Sequence, residues 1–375
     1  MAVRADQHAG GLSERKRAHL DLCANEAVEY AGKTTLFEDV ELLHNALPEL
    51  ALDEVDLSVE FLGKRLRAPL LITGMTGGTA DAFAVNRDLA LVAERCGIAF
   101  GLGSQRAMQR DPDSAWTFAV RELAPSVVLL ANLGLVQATR LPTGSVSQLV
   151  AAVGADALCL HLNPAQELIQ AEGDRDFRGG VAALARLCRE LPVPVIAKET
   201  GCGVSRAAAI ELRAAGVRCI DVSGAGGTSW VRVETLRGDE RSRALGALLA
   251  TWGIPTAASL AMLDGLGVEL IASGGVRTGL EIAKAIALGA RLCGIALPVY
   301  RAYRAGGIGA ATAFIEHLVE GLAAVMLLTG ARTPDELARQ PVVLGERLRA
   351  WVAAGTGRTG LSLAGAMHGS PLRHD

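Results

Sequence analysis

Beyond Pro69 the chain settles into a rhythm: a short apolar run, then a cluster of Gly, Asn, Ser or charged residues, then an Ala/Leu-rich stretch with helical spacing. The apolar runs are PLLITGMTGG (69–78), IAFGLGSQR (98–106), SVVLLANLG (126–134), ALCLHLN (157–163), VPVIAKE (193–199), CIDVSGAGG (219–227), VELIASGG (268–275) and LCGIALP (292–298). Strands that alternate with helices pair in parallel, and about eight such units is the number that closes a sheet on itself, so the pattern predicts an α/β fold, a (β/α)8 TIM barrel. Ahead of it, SERKRAHLDLCANEA reads as a helix with Ser13 as N-cap, preceded by a polar tail over residues 1–13. The expected division is an N-terminal extension with a helix covering the active site (1–68), the barrel (69–330), and a C-terminal helix with a tail (331–375). The interval 228–267 is too long for a plain connection, and its charged half, WVRVETLRGDERSR, is a candidate lid.

Composition narrows the class. Half the residues are hydrophobic but only 4% are aromatic, so the core must be built from Ala, Val, Leu and Ile, as a closed parallel barrel requires. A formal charge of -3 gives no whole-chain attraction for nucleic acid or anionic lipid, so an anionic ligand must meet a local basic site. No unbroken apolar run approaches a membrane span and the N-terminus has no apolar signal core, so a cytoplasmic protein is expected. The seven cysteines form no CxxC pair, and neither a disulfide framework nor a zinc site is expected.

Barrels do their chemistry where strands feed their C-terminal loops. The Gly-rich SGGVRTG (273–279) opens a helix after the seventh run, and with SGAGGTSW (223–230) it points to a phosphate-bearing ligand held by backbone N–H groups and a helix dipole. Tight turns alone would also explain the glycines. Lys198 ends the fifth run, where it suits the pyrimidine edge of a flavin or, alternatively, a structural pair with Glu199. Arg106 offers a planar fork for diphosphate, and Arg15 and Lys16 could add charge if their helix folds over the mouth; otherwise Arg15, Lys16 and Arg17 make a solvated face. Within HLNPAQE, Glu167 suits a magnesium ion shared with phosphate oxygens, His161 is either functional or a satisfied core histidine, and Gln166 cannot relay protons as a carboxylate does.

RKRAH (15–19), GMTGG (74–78), GSQR (103–106), HLNPAQE (161–167) with EGDRDF (172–177), AKETGCGVS (197–205), SGAGGTSW and SGGVRTGLEIAKAI (273–286) together resemble the type II, FMN-dependent isopentenyl-diphosphate isomerases. The resemblance implies interconversion of isopentenyl and dimethylallyl diphosphate, with reduced FMN acting as acid/base, magnesium, and NADPH or NADH only as initial reductant. It implies an FMN set of Gly74, Met75, Thr76, Ser104, Asn132, Lys198, Ser223, Thr228, Gly275, Arg277, Ala296 and Leu297. It implies a substrate set of Arg15, Lys16, His19, Ser104, Gln105, Arg106, Asn163 and Gln166, with Gln166, His161 and Lys198 nearest the chemistry and Glu167 on the metal. A homotetramer or octamer, without nucleic-acid or membrane partners, is the implied assembly. The competing readings are a 2-hydroxy-acid oxidase, a nucleotide dehydrogenase, against which the cysteine-free GAGGTSW loop counts, and a non-catalytic FMN or phosphate sensor.

Overall fold

The computed structural model describes residues 3–357, with side chains from Glu14 onward. Eight parallel strands close into a barrel: β1 (Leu70–Ile72), β2 (Ala99–Gly101), β3 (Leu129–Gly134), β4 (Ala157–Leu162), β5 (Val195–Glu199), β6 (Cys219–Asp221), β7 (Glu269–Ser273) and β8 (Ala290–Ile295). Seven fall inside one of the eight apolar runs, and β8 begins two residues before its run, at Ala290. Every other residue points inward. Low in the barrel the inward positions are apolar, with Leu71, Leu130, Cys159, Ile196, Cys219, Ile271 and Leu292 in one cluster. The hairpin Val59–Phe61/Lys64–Leu66 adds Val59, Phe61 and Leu66 to that cluster and so plugs the barrel's far end. One step further up β3 to β7 the inward residue turns polar: Asn132, His161, Lys198, Asp221 and Ser273. The change of chemistry along a single face makes one end a core and the other a site.

Helices α1 (Val3–Asn25), α2 (Ala80–Cys96), α3 (Pro164–Ile169), α4 (Trp230–Arg237), α5 (Glu240–Leu248), α6 (Gly279–Ala287) and α7 (Leu297–Thr329) position the mouth. α1 starts ten residues before the expected Ser13 cap, replacing part of the expected tail with helix. The charged stretch expected as a lid folds as α4 and α5, which pack on one another, on α3 and, through α4, on α1. α7 is long and apolar enough to cross a bilayer by composition, but Gly306 and Gly307 break its helical geometry and its inner face packs on α2 and α6. The C-terminal stretch expected as one helix is a short turn of helix, a strand Val342–Leu344 paired antiparallel with Val40–Leu42, and a helix Glu346–Thr356. Pro341, which lacks an N–H, and Gly345, the N-cap of the last helix, account for the interruption. The Gly/Ser/His-rich tail from 358 lies outside the described residues.

Candidate active site

A cavity of about 1480 Å³, counted out to its open end, fills the barrel mouth beneath α1. That exceeds the room one small ligand takes. All the expected site residues line it except Gln105. Gln105 is fully buried, its amide donating to the Leu149 carbonyl at 2.8 Å and accepting from the Asn132 N–H at 3.2 Å. Adjacent Ser104 and Arg106 take the mouth, so Gln105 braces β3 and is corrected from ligand to scaffold.

Three cations converge on one wall. Arg15 and Lys16 are turned inward, while exposed Arg17 pairs with Asp81, which resolves the solvated-face alternative for two of the three. Lys16 Nζ donates to the Ser104 carbonyl at 3.1 Å and sits over the Phe118 ring. Burial and then the charge of Arg15 push Lys16 down to about 7. Burial likewise lowers Arg15, with Arg106 adding to the effect, and lowers Arg106, with Arg110 adding. The Nε of Arg15 is buried with no partner among the described residues. Arg15 Nη1 donates to Gln170 at 3.2 Å and meets Glu172 at 3.5 Å, and the remaining donors of these desolvated, mutually repelling cations suit an anion.

Facing them is a polar network centred on Glu234 of α4, which is buried. Glu234 Oε1 accepts from His19 Nε2 at 2.8 Å, Gln166 Nε2 at 3.1 Å and Gln170 Nε2 at 2.6 Å, and Oε2 accepts from Arg237. Burial alone would raise this carboxyl; the hydrogen bond and charge of His19, then Arg237 and Gln166, outweigh it and hold it at about 2. Gln166 Oε1 accepts from Asn163, which also donates to Glu167 at 3.1 Å, so the amide orientation is fixed at both ends. Glu167 takes the Asp174 N–H on its other oxygen at 2.7 Å, which orients a nearly buried carboxylate toward the cavity. No cluster of three acidic, His or Cys ligands occurs among the described residues. A lone carboxylate fits magnesium that keeps its waters and shares phosphate oxygens; it does not fit zinc.

On the floor, His161 Nδ1 meets Asn132 Oδ1 at 2.8 Å; because that oxygen accepts, Nδ1 carries the proton. Burial, then Lys198 and Arg106, press His161 down to about 3, so the ring is neutral and its Nε2 is an acceptor. Lys198 pairs with Asp221 at 2.9 Å and not with Glu199. Neighbouring strand residues face opposite ways, and the Glu199 carboxylate accepts the N–H groups of Thr200 and Cys202 instead.

The two Gly-rich loops touch backbone to backbone: a Cβ on Gly227 would lie 2.2 Å from the Gly275 nitrogen, and Gly275 holds φ +85. Thr278 and Glu281 form a capping box that takes the N–H groups of Arg277, Thr278 and Glu281 at the entry to α6. The start of α7 has no side-chain cap, and Ala296 and Leu297 line the cavity, so its dipole and N–H groups face the mouth unspent. Arg277 reaches the cavity but is paired with Glu29. The buried hydroxyl of Thr76 likewise has no partner among the described residues. Backbone-lined loops, an uncapped helix end and an unspent Thr hydroxyl fit a flat ring carrying a phosphate.

Sequence reasoning missed Glu234, Asp221 and Ser273. Asp221 and Ser273 share the inward parity of Lys198 on β5, which strand alternation alone would have exposed. Glu234 had no such signal, because it looked like one more charge in a polar stretch.

A closed barrel with a phosphate-ready mouth defines the flavin-barrel class, and a profile of the FMN-dependent dehydrogenase family matches residues 136–344. Solved structures agree at the level of fold: a lactate oxidase of Pediococcus acidilactici (TM-score 0.63, 18% identity, 90% of this chain and 94% of that one) and a mandelate oxidase with a monooxide FMN adduct (TM-score 0.59, 16% identity, 88% and 100%). Closer in sequence are isopentenyl-diphosphate delta-isomerases. That of Methanothermobacter thermautotrophicus is 45% identical, covering 91% of this chain and 96% of the relative; that of Synechococcus sp. is 53% identical, covering 76% and 84%; that of Aeropyrum pernix is 46% identical, covering 90% and 92%. The chain belongs to the isopentenyl-diphosphate delta-isomerase family.

Proposed function

We propose that this protein interconverts isopentenyl and dimethylallyl diphosphate by an allylic proton shift, with FMN in the barrel mouth. The observation that carries the reading is the wall of mutually repelling Arg15, Lys16 and Arg106 lining the cavity, set beside a hydrogen-bonded Gln166 and a neutral His161. A diphosphate satisfies the wall, and an alkene needs nothing charged from the residues beside it. Magnesium at Glu167 shares the diphosphate oxygens, and Ser104 and His19 complete the grip.

Gly74, Met75, Thr76, Ser104, Asn132, Ser223, Thr228, Gly275, Arg277, Ala296 and Leu297 would hold the FMN. When bound and reduced, the flavin supplies a proton-transferring nitrogen that the side chains lack. Lys198 places a cation beside the ring and offsets the negative charge of reduction. Gln166, fixed by Asn163 and Glu234, orients the substrate's carbon chain, and neutral His161 offers an acceptor nearby. α1 and α4 cover the mouth and exclude water from a cation-like transition state. NADPH or NADH enters as the initial reductant. The free cysteines suit a reducing, cytoplasmic setting, and we extend the reading to a homotetramer or octamer and to a division at 1–68, 69–330 and 331–375.

The test is incubation of the FMN-loaded, pre-reduced protein with isopentenyl diphosphate and magnesium, followed by product analysis. Dimethylallyl diphosphate is expected. Bound FMN with no double-bond shift would favour a sensor, and peroxide release with a 2-hydroxy acid would favour an oxidase.

A further inference from the structure

Lys198 on β5 and Asp221 on β6 are register partners, and their side chains meet inside the barrel at 2.9 Å with only 11% and 1% of their surfaces exposed. The aspartate is engaged on its other oxygen as well. Oδ1 accepts the Ser273 hydroxyl from β7 at 2.5 Å and the Ser223 backbone N–H at 3.2 Å. Ser223 holds φ 35, a left-handed conformation uncommon for a residue other than glycine, and it opens the Gly-rich loop after β6. One carboxylate therefore ties together the site lysine, a hydroxyl on the next strand and a strained turn. Asp221 itself does not line the cavity.

We propose that Asp221 is the positioning residue that keeps Lys198 protonated and aimed at the flavin; the inference rests on the FMN reading above. An ammonium in a nearly closed, low-dielectric site sheds its proton unless an opposite charge holds it. The other titratable groups around it do not do this. His161, its register partner on β4, is neutral; Cys159 is a buried thiol below; Glu199 is one residue on, with its carboxylate held by the Thr200 and Cys202 N–H groups outside the barrel. Asp221 supplies the counter-charge from the side away from the cavity, so the ring meets the cation and not the pair.

The experiment measures the midpoint potential of bound FMN between pH 6 and 9 in the wild type and in Asp221→Asn. With its partner neutralised, Lys198 loses its proton as pH rises, so the variant's potential, raised at pH 6 by removal of the carboxylate charge, should fall more steeply toward pH 9 than the wild type's. A midpoint that tracks the wild type at every pH, or runs parallel to it at a fixed offset, would overturn the proposal. If Asp221→Asn does not fold, Ser273→Ala keeps both charges but removes the hydroxyl that donates to Asp221 and lies 3.4 Å from Lys198 Nζ, and a smaller steepening toward pH 9 is expected; an unchanged slope there is equally fatal. A wild type that takes up no FMN would instead remove the flavin reading, and this proposal with it.

Discussion

Lys16 is a lysine in a place where a lysine is uncomfortable. With its ammonium pressed down to about 7 by burial and by Arg15, part of its population is neutral in the free protein at neutral pH. A diphosphate restores the charged form, so binding should take up a proton above pH 7, and affinity should fall as pH rises from 7 toward 9. Calorimetry in buffers of differing ionisation heat measures the uptake directly, and Lys16→Met should abolish it while weakening binding roughly 10- to 100-fold, the loss of one charge-assisted contact. Glu167→Gln should weaken magnesium-dependent binding by a comparable factor and leave the flavin spectrum intact; loss of flavin would show that Glu167 serves the cofactor. At this scale the sequence was readable wherever chemistry coincided with a strand end, as at His161 and Lys198. It misled at Gln105, because the GSQR motif does not say which of its residues turns away from the cavity to bond the Leu149 carbonyl and the Asn132 N–H.

The elements around the mouth carry the positions that sequence could not assign. All eight strands were legible, because an apolar run bounded by glycine and polar residues leaves little alternative. The α4 region was not: its helix has no strong apolar stripe, and it is docked by one buried carboxylate holding His19, Gln166, Gln170 and Arg237. The Glu234 carboxyl sits well below its ordinary 4.5, so it contributes stability that is present above about pH 4.5 and is lost as pH falls toward 2. Glu234→Gln should therefore cost roughly 1–3 kcal/mol near neutrality. Denaturant titration should find that deficit shrinking below pH 4.5; a deficit independent of pH would mean that packing, and not charge, holds α4. The Gly-rich loops make a matching prediction. A methyl on Gly275 would meet the Thr35 methyl at 2.3 Å and would be strained at φ +85, so Gly275→Ala should weaken FMN retention on dialysis more than it changes substrate affinity in the loaded enzyme.

Across the whole molecule, a single alternation runs from a plugged apolar floor through a ring of polar side chains to a cationic roof supplied by α1. The residues between α1 and the barrel reinforce this: Tyr30 N–H donates to the Gly227 carbonyl at 3.0 Å, and Ala257 N–H donates to that of Thr35 at 3.0 Å, strapping the extension across the loop after β6. The segment that continues from α1 is therefore tied to the Gly-rich loop after β6, which would couple occupancy of that loop to closure over the mouth. Structures of a mandelate oxidase and a lactate oxidase share this architecture at 16% and 18% identity, so the fold alone does not decide between redox and proton chemistry. The most direct measurement is the ratio of product formed to reductant consumed, in sealed anaerobic assays where the bound flavin is reduced once and no further reductant is supplied. The account predicts many dimethylallyl diphosphate molecules per flavin, with the flavin still reduced at the end. One product or none per flavin, with the ring reoxidised, would contradict it.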